Sequence, residues 1–159
     1  MPTTRLSAEE LNMAAAVGVR RRIDSIGRYK DTTDRAGRTG WEDDIQGAIA
    51  EYAAAKYLRL PWTGIKAHTD DLPGMDVKST RDPSRPLRLI DGHDLIHVHA
   101  YVNHYQVTLH GWARLEDAMN VNAPHFTDRK NRRVYEMPIH ELLPMADLRD
   151  WIANGGRHD

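Results

Sequence analysis

Apolar residues recur at helical spacing over the first third of the chain and then switch to a period of two. Ser7-Ala8-Glu9-Glu10 is a capping-box pattern, serine and glutamate three apart, so a helix is predicted to start there. Leu11, Ala14, Ala15, Val17, Gly18 and Ile23 give it an imperfect apolar stripe, and arginines supply its polar side. Asp31 to Gly40 is polar with two glycines and reads as a loop. A second helix is predicted from Trp41 or Glu42 to Leu58. Glu42, Asp43 and Asp44 lie in its first turn, where the helix dipole favours acids, and Pro61 ends it. Ile65 to Val77, Leu87 to Ile90, Leu95 to Val102 and Gln106 to Trp112 then read as short strands broken by Pro, Gly, Asp and Asn. Asp117 to Arg133 reads as irregular, Val134 to Pro138 as a last strand, and His140 to Ile152 as a short helix that Pro144 interrupts and Asn154-Gly155-Gly156 ends. The sequence shows no repeat and no linker. This order predicts an α/β or α+β domain built on one mixed sheet flanked by helices.

Length and composition narrow the class. At 159 residues one domain covering 1–159 is expected, and 40% apolar against 28% charged residues suits a folded chain rather than a disordered one. No stretch approaches the roughly 20 apolar residues of a membrane span, and the polar, acid-bearing start from Met1 to Glu10 is unlike a secretory signal. Cysteine is absent, which removes disulfides, zinc–thiolate sites and thiol nucleophiles and fits a reducing cytoplasm. Any metal must therefore sit on carboxylates, carbonyls or imidazoles. A net charge of −1 hides local asymmetry. Between Arg20 and Arg38 seven basic residues, Arg20, Arg21, Arg22, Arg28, Lys30, Arg35 and Arg38, face three aspartates. Smaller basic clusters lie at Arg81, Arg85 and Arg88 and at Arg129, Lys130, Arg132 and Arg133.

Thr69-Asp70-Asp71-Leu72-Pro73-Gly74-Met75-Asp76-Val77-Lys78 carries the most chemistry. Pro73-Gly74 is turn chemistry, proline presetting φ and glycine tolerating a positive one. With those two residues as a tight loop, Leu72 faces Met75 and Asp71 faces Asp76, at the roughly 5 Å of directly opposed Cβ atoms. Two opposed carboxylates repel, a poor choice for a purely structural turn. A divalent cation removes the objection, since Mg²⁺ takes one or two carboxylates plus waters and phosphate oxygens. Strand alternation places Lys78 on the face of Asp76, about 6–7 Å along, with Val77 turned toward the core. In the second helix Glu51 stands among Gly47, Ala48, Ala54, Ala55 and Leu58, its neighbours at helical spacing. A carboxylate on such a face is costly unless it is paired, metal-bound or at the edge of the buried stripe.

Taken together, Glu51 in its alanine-rich helix, then Asp71, then Asp76-Val77-Lys78, resemble the PD-(D/E)XK nuclease superfamily, most of all small phage- or prophage-type nuclease-like proteins. The likeness covers roughly Trp41 to Trp112, with a vaguer echo from Val134 to Leu148, and places the domain core at about residues 41–148. It implies a restriction-endonuclease-like fold with the acidic hairpin at the centre of the sheet, and Mg²⁺- or Mn²⁺-dependent endonucleolytic hydrolysis of DNA phosphodiesters. By position, Asp71 and Asp76 would be metal ligands with the Val77 carbonyl a third. Lys78 would be the catalytic lysine, and Glu51 a further ligand or water-orienting acid. Asp70 rather than proline precedes Asp71, which leaves either aspartate as the ligand. DNA is the implied partner, a homodimer the implied assembly, and a bacterial or phage-infected cytoplasm the implied compartment. Arg20, Arg21, Arg28, Lys30, Arg35, Arg38 and Arg81 are the expected phosphate contacts.

Two rival readings stand beside this one. Nine histidines include His97 and His99 on one strand face and His110 on a later strand, as in a His-based metalloenzyme. The plainer reading makes them ordinary polar positions of alternating strands. The other rival is a non-catalytic DNA-binding or assembly protein that kept the nuclease fold.

Overall fold

The computed structural model describes residues 1–26, 40–64, 70–92 and 95–156. Two long helices open the fold after a short strand. β1 (Thr3–Arg5) is followed by α1 (Ala8–Ile26) and α2 (Gly40–Leu58). The capping box at the start of α1 is realised: Ser7 N–H donates to Glu10 Oε2 at 2.8 Å, and Glu10 N–H donates to Ser7 Oγ at 3.2 Å. α2 buries Ala48, Ala50, Ala53, Ala54 and Ala55, small side chains that let the helix lie close on what it covers. α1 crosses α2 at Gly18, where a Cβ would come within 2.5 Å of Ile45 Cα.

The strands follow. β2 (Met75–Thr80), β3 (Leu87–Ile90), β4 (Ile96–Asn103) and β5 (Gln106–Ala113) precede α3 (Leu115–Asn120), β6 (His125–Thr127), β7 (Arg133–Met137), a 3-10 turn at Ile139–Glu141 and α4 (Met145–Ala153). β1, β5, β4 and β2 form a four-stranded mixed sheet in that order. β2 runs parallel to β4, with Asp76 beside His97 and Lys78 beside His99, while β4–β5 and β5–β1 are antiparallel. Met75, Val77, Ile96, Val98, Ala100, Val102, Val107 and Leu109 pack under α2 with Met145 and Leu148 of α4. The molecule is thus an α+β fold with a mixed sheet and flanking helices.

Several expectations are corrected. A second sheet, β3-β7-β6, carries its own cluster around Leu87, Leu89, Tyr135 and Met137, so the strands do not share one sheet. The stretch read as irregular holds α3 and β6, whose short lengths give little periodicity to read. β1 was missed for the same reason. Of the strand expected from Ile65 to Val77, residues 65–69 lie outside the described residues, and the strand begins only at Met75. The loop expected from Asp31 lies outside them too, up to Gly40, which opens α2. The hydrophobic core also takes in Leu6 and Ala14. Among the described residues β2 is an edge strand rather than central, bounded on its outer side by a single bridge between Leu72 and Met75.

A carboxylate pair at the sheet edge as the candidate active site

The turn before β2 brings the acids together. Met75 N–H donates to the Leu72 carbonyl at 2.9 Å, and Gly74 sits at φ 69°, the positive value that the third residue of a type II Pro-Gly turn requires. The chain thereby folds back on the outer edge of β2. Asp71 N–H donates to the Met75 carbonyl at 3.0 Å, and Asp71 Oδ2 accepts the Val77 N–H at 2.9 Å. A strand residue's N–H and C=O point to the same side, so the Val77 carbonyl also faces the edge on which Asp71 lies. Asp70 turns the other way, its Oδ2 accepting the Gly74 N–H at 3.2 Å. Of the two aspartates left open by the sequence, Asp71 is the one that meets Asp76.

Asp76 is the electrostatic centre. Its Oδ2 lies 2.6 Å from Lys78 Nζ and 3.5 Å from His97 Nδ1. Burial works against its ionisation, but the His97 ring, the Lys78 charge and a hydrogen bond with Asp71 outweigh it, holding Asp76 well below the usual carboxylate range. The two carboxyl groups are therefore in contact. Lys78 is about two-fifths exposed, so its ammonium reaches solvent while touching Asp76.

Glu51 does not join them. It is 2% exposed, and Arg21 grips it with both terminal nitrogens, each 2.6 Å from a carboxylate oxygen. Trp62 Nε1 adds a contact at 3.4 Å, and Arg21 also donates to the Gly64 carbonyl. The alanine face thus holds a buried bidentate ion pair. This corrects the expectation for Arg21 as a phosphate contact, because its guanidinium is committed inside the protein. Burial opposes the Arg21 charge, but Glu51 and then Asp71 and Asp44 raise its pKa, so Arg21 couples the helix acid to the turn. Among the described residues no three His, Asp or Glu side chains converge as a metal-holding set. The donors that fit a hard cation here are the Asp71 and Asp76 carboxylates and the Val77 carbonyl. That set suits Mg²⁺, which completes its shell with water and phosphate oxygens. Arg20 and Arg81 are exposed, whereas Arg28, Lys30, Arg35 and Arg38 lie outside the described residues.

Three of the histidines are not surface positions. His97, His99 and His110 are buried. His99 Nδ1 and His110 Nδ1 lie 3.1 Å apart, and neither ring nitrogen of His97 makes a well-formed hydrogen bond among the described residues. Burial, then His110 and Arg85, push His99 down to about 4, and burial followed by the N-terminal amine lowers His110. The role of His97 beside Asp76 was missed, because nothing in the sequence marks the parallel pairing of β2 with β4.

Comparison with protein-family models, curated proteins and solved structures yields no match to this chain.

Proposed function

We propose that this protein is a metal-dependent deoxyribonuclease of the PD-(D/E)XK kind, hydrolysing DNA phosphodiesters. The observation that carries the reading is the contact between Asp71 and Asp76 with Lys78 Nζ 2.6 Å from the latter, all at an open sheet edge. Asp71, Asp76 and the Val77 carbonyl would hold Mg²⁺ or Mn²⁺, which when bound supplies an activated water and neutralises phosphate charge. The chain's own groups do the rest. His97 and Lys78 keep Asp76 ionised, so it is a competent oxygen donor at neutral pH. Lys78, partly exposed, presents an ammonium to a phosphate oxygen where negative charge develops. Glu51 acts at one remove, fixing Arg21, whose charge faces Asp71. Arg20 and Arg81 are exposed cations available to the nucleic-acid backbone.

The test is cleavage of plasmid, linear, single-stranded and branched DNA with Mg²⁺ or Mn²⁺. Asp76→Asn should abolish cutting, and Lys78→Ala should slow it by about 10²–10³-fold, the scale for loss of a positioned charge-stabilising group. DNA retention without cutting under every metal would turn the reading into the binding-module one. Cutting that survives Asp76→Asn and fails with His97 and His99 substituted would turn it into the His-site one.

A further inference from the structure

β4 buries a histidine beside the carboxylate pair, between two apolar neighbours. Ile96 and Val98 turn under α2 with Val77, so strand alternation sends His97 to the face of Asp76 and Lys78. The parallel register sets it directly beside Asp76. Its side chain is 2% exposed, and both ring nitrogens are buried with no well-formed hydrogen bond among the described residues. An apolar side chain would fill the position without the cost of burying an imidazole unsatisfied. Native folds keep few such groups, and each calls for an account. One neighbour supplies it. His97 Nδ1 lies 3.5 Å from Asp76 Oδ2, the same oxygen that Lys78 Nζ touches at 2.6 Å.

A bare nitrogen lone pair would repel an ionised carboxylate, so a ring proton belongs on Nδ1, the nitrogen that faces Asp76. We infer that His97 is a positioning residue of the candidate metal centre. Its Nδ1–H and the Lys78 ammonium hold Asp76 by Oδ2, which fixes the direction in which the carboxylate meets Asp71 and a cation shared with it. His97 touches neither metal nor substrate and acts through Asp76. Partners that orient a metal-binding side chain in this way change metal affinity by about 10–100-fold when removed. The role toward a cation rests on the nuclease reading, whereas the buried imidazole and its donor nitrogen do not.

The experiment uses the full chain. In EDTA, the imidazole nitrogen shifts in NMR should show His97 protonated at Nδ1, its signals assigned by their loss in His97→Asn. With the chelator removed, Mn²⁺ affinity is read by EPR on the parent and three variants, beside the metal-dependent cleavage assay. His97→Leu should weaken Mn²⁺ binding by about tenfold or more. The amide nitrogen of asparagine stands close to where Nδ1 does, and that of glutamine close to Nε2. His97→Asn should therefore keep most of the parent's affinity, and His97→Gln should fall with His97→Leu. A ring protonated only at Nε2, parent-like Mn²⁺ binding by His97→Leu, or an equal loss in all three variants overturns the inference. If the parent still cuts DNA in any of those cases, the nuclease reading stands. His97-dependent Mn²⁺ binding with this order of variants, in a protein that cleaves no DNA, keeps the inference and removes the nuclease reading. A parent chain that binds no Mn²⁺ overturns both.

Discussion

At the scale of single residues, charge is placed by partners rather than by exposure. Glu51 and Arg21 show this most clearly. Their pairing is bidentate and nearly enclosed, so Glu51→Gln leaves a partly buried guanidinium without its bidentate partner, with only the more distant Asp71 and Asp44 charges facing it. We expect a loss of about 3 kcal/mol in urea unfolding, the lower end for a broken buried pair. An Arg21→Met, Glu51→Gln double variant should recover part of it, and a double variant worse than either single would contradict the account. Metal affinity separates this role from ligation, since Mn²⁺ binding should shift far less in Glu51→Gln than in Asp76→Asn. His99 makes a pH prediction. It stays neutral down to about 4 in the fold, whereas the unfolded chain takes up that proton near 6.5. Acidification through that window charges only the unfolded state, so stability falls with pH by up to about 1.4 kcal/mol per unit. His99→Gln should flatten the stability profile between pH 6.5 and 4. Parallel profiles for parent and variant would remove His99 as the cause.

Elements here are fitted to one another by small residues. α2 lies close to the sheet because its inner positions are alanines, and α1 lies close to α2 because position 18 is glycine. At Gly18 the obstacle to a side chain is backbone, Ile45 Cα and Asp44 O, which cannot rotate away. Gly18→Ala should therefore lower stability by about 1–3 kcal/mol in spite of alanine's better helix propensity. A thermal midpoint equal to or above that of the parent would show that the helices separate without cost. Both long helices, the cap of α1 and four of the strands could be read from pattern, because their apolar periods run long enough to repeat. α3, β1 and β6 could not, since three strand residues or six helical ones fall short of two full periods.

Across the whole molecule, two sheets carry two cores, and Asp76, Lys78, His97 and His99 align through the parallel pairing of β2 with β4. Among the described residues no helix is long and apolar enough to cross a membrane. The amino-acid sequence alone determined the two long helices, the Pro-Gly turn and the acids flanking it, because each depends on neighbours a few positions away. Placing Lys78 on the face of Asp76 needed only the two-residue repeat of a strand. Which strand lies beside β2, and hence the burial of His97 against Asp76, was decided by tertiary structure. So were the capture of Glu51 by Arg21 and the contact of Asp71 with Asp76. In the His97 and Glu51 pairings the partners are twenty or more positions apart in the chain. Contacts at that separation leave no periodic trace in a single sequence, and their strength comes from water excluded only once the layers have closed.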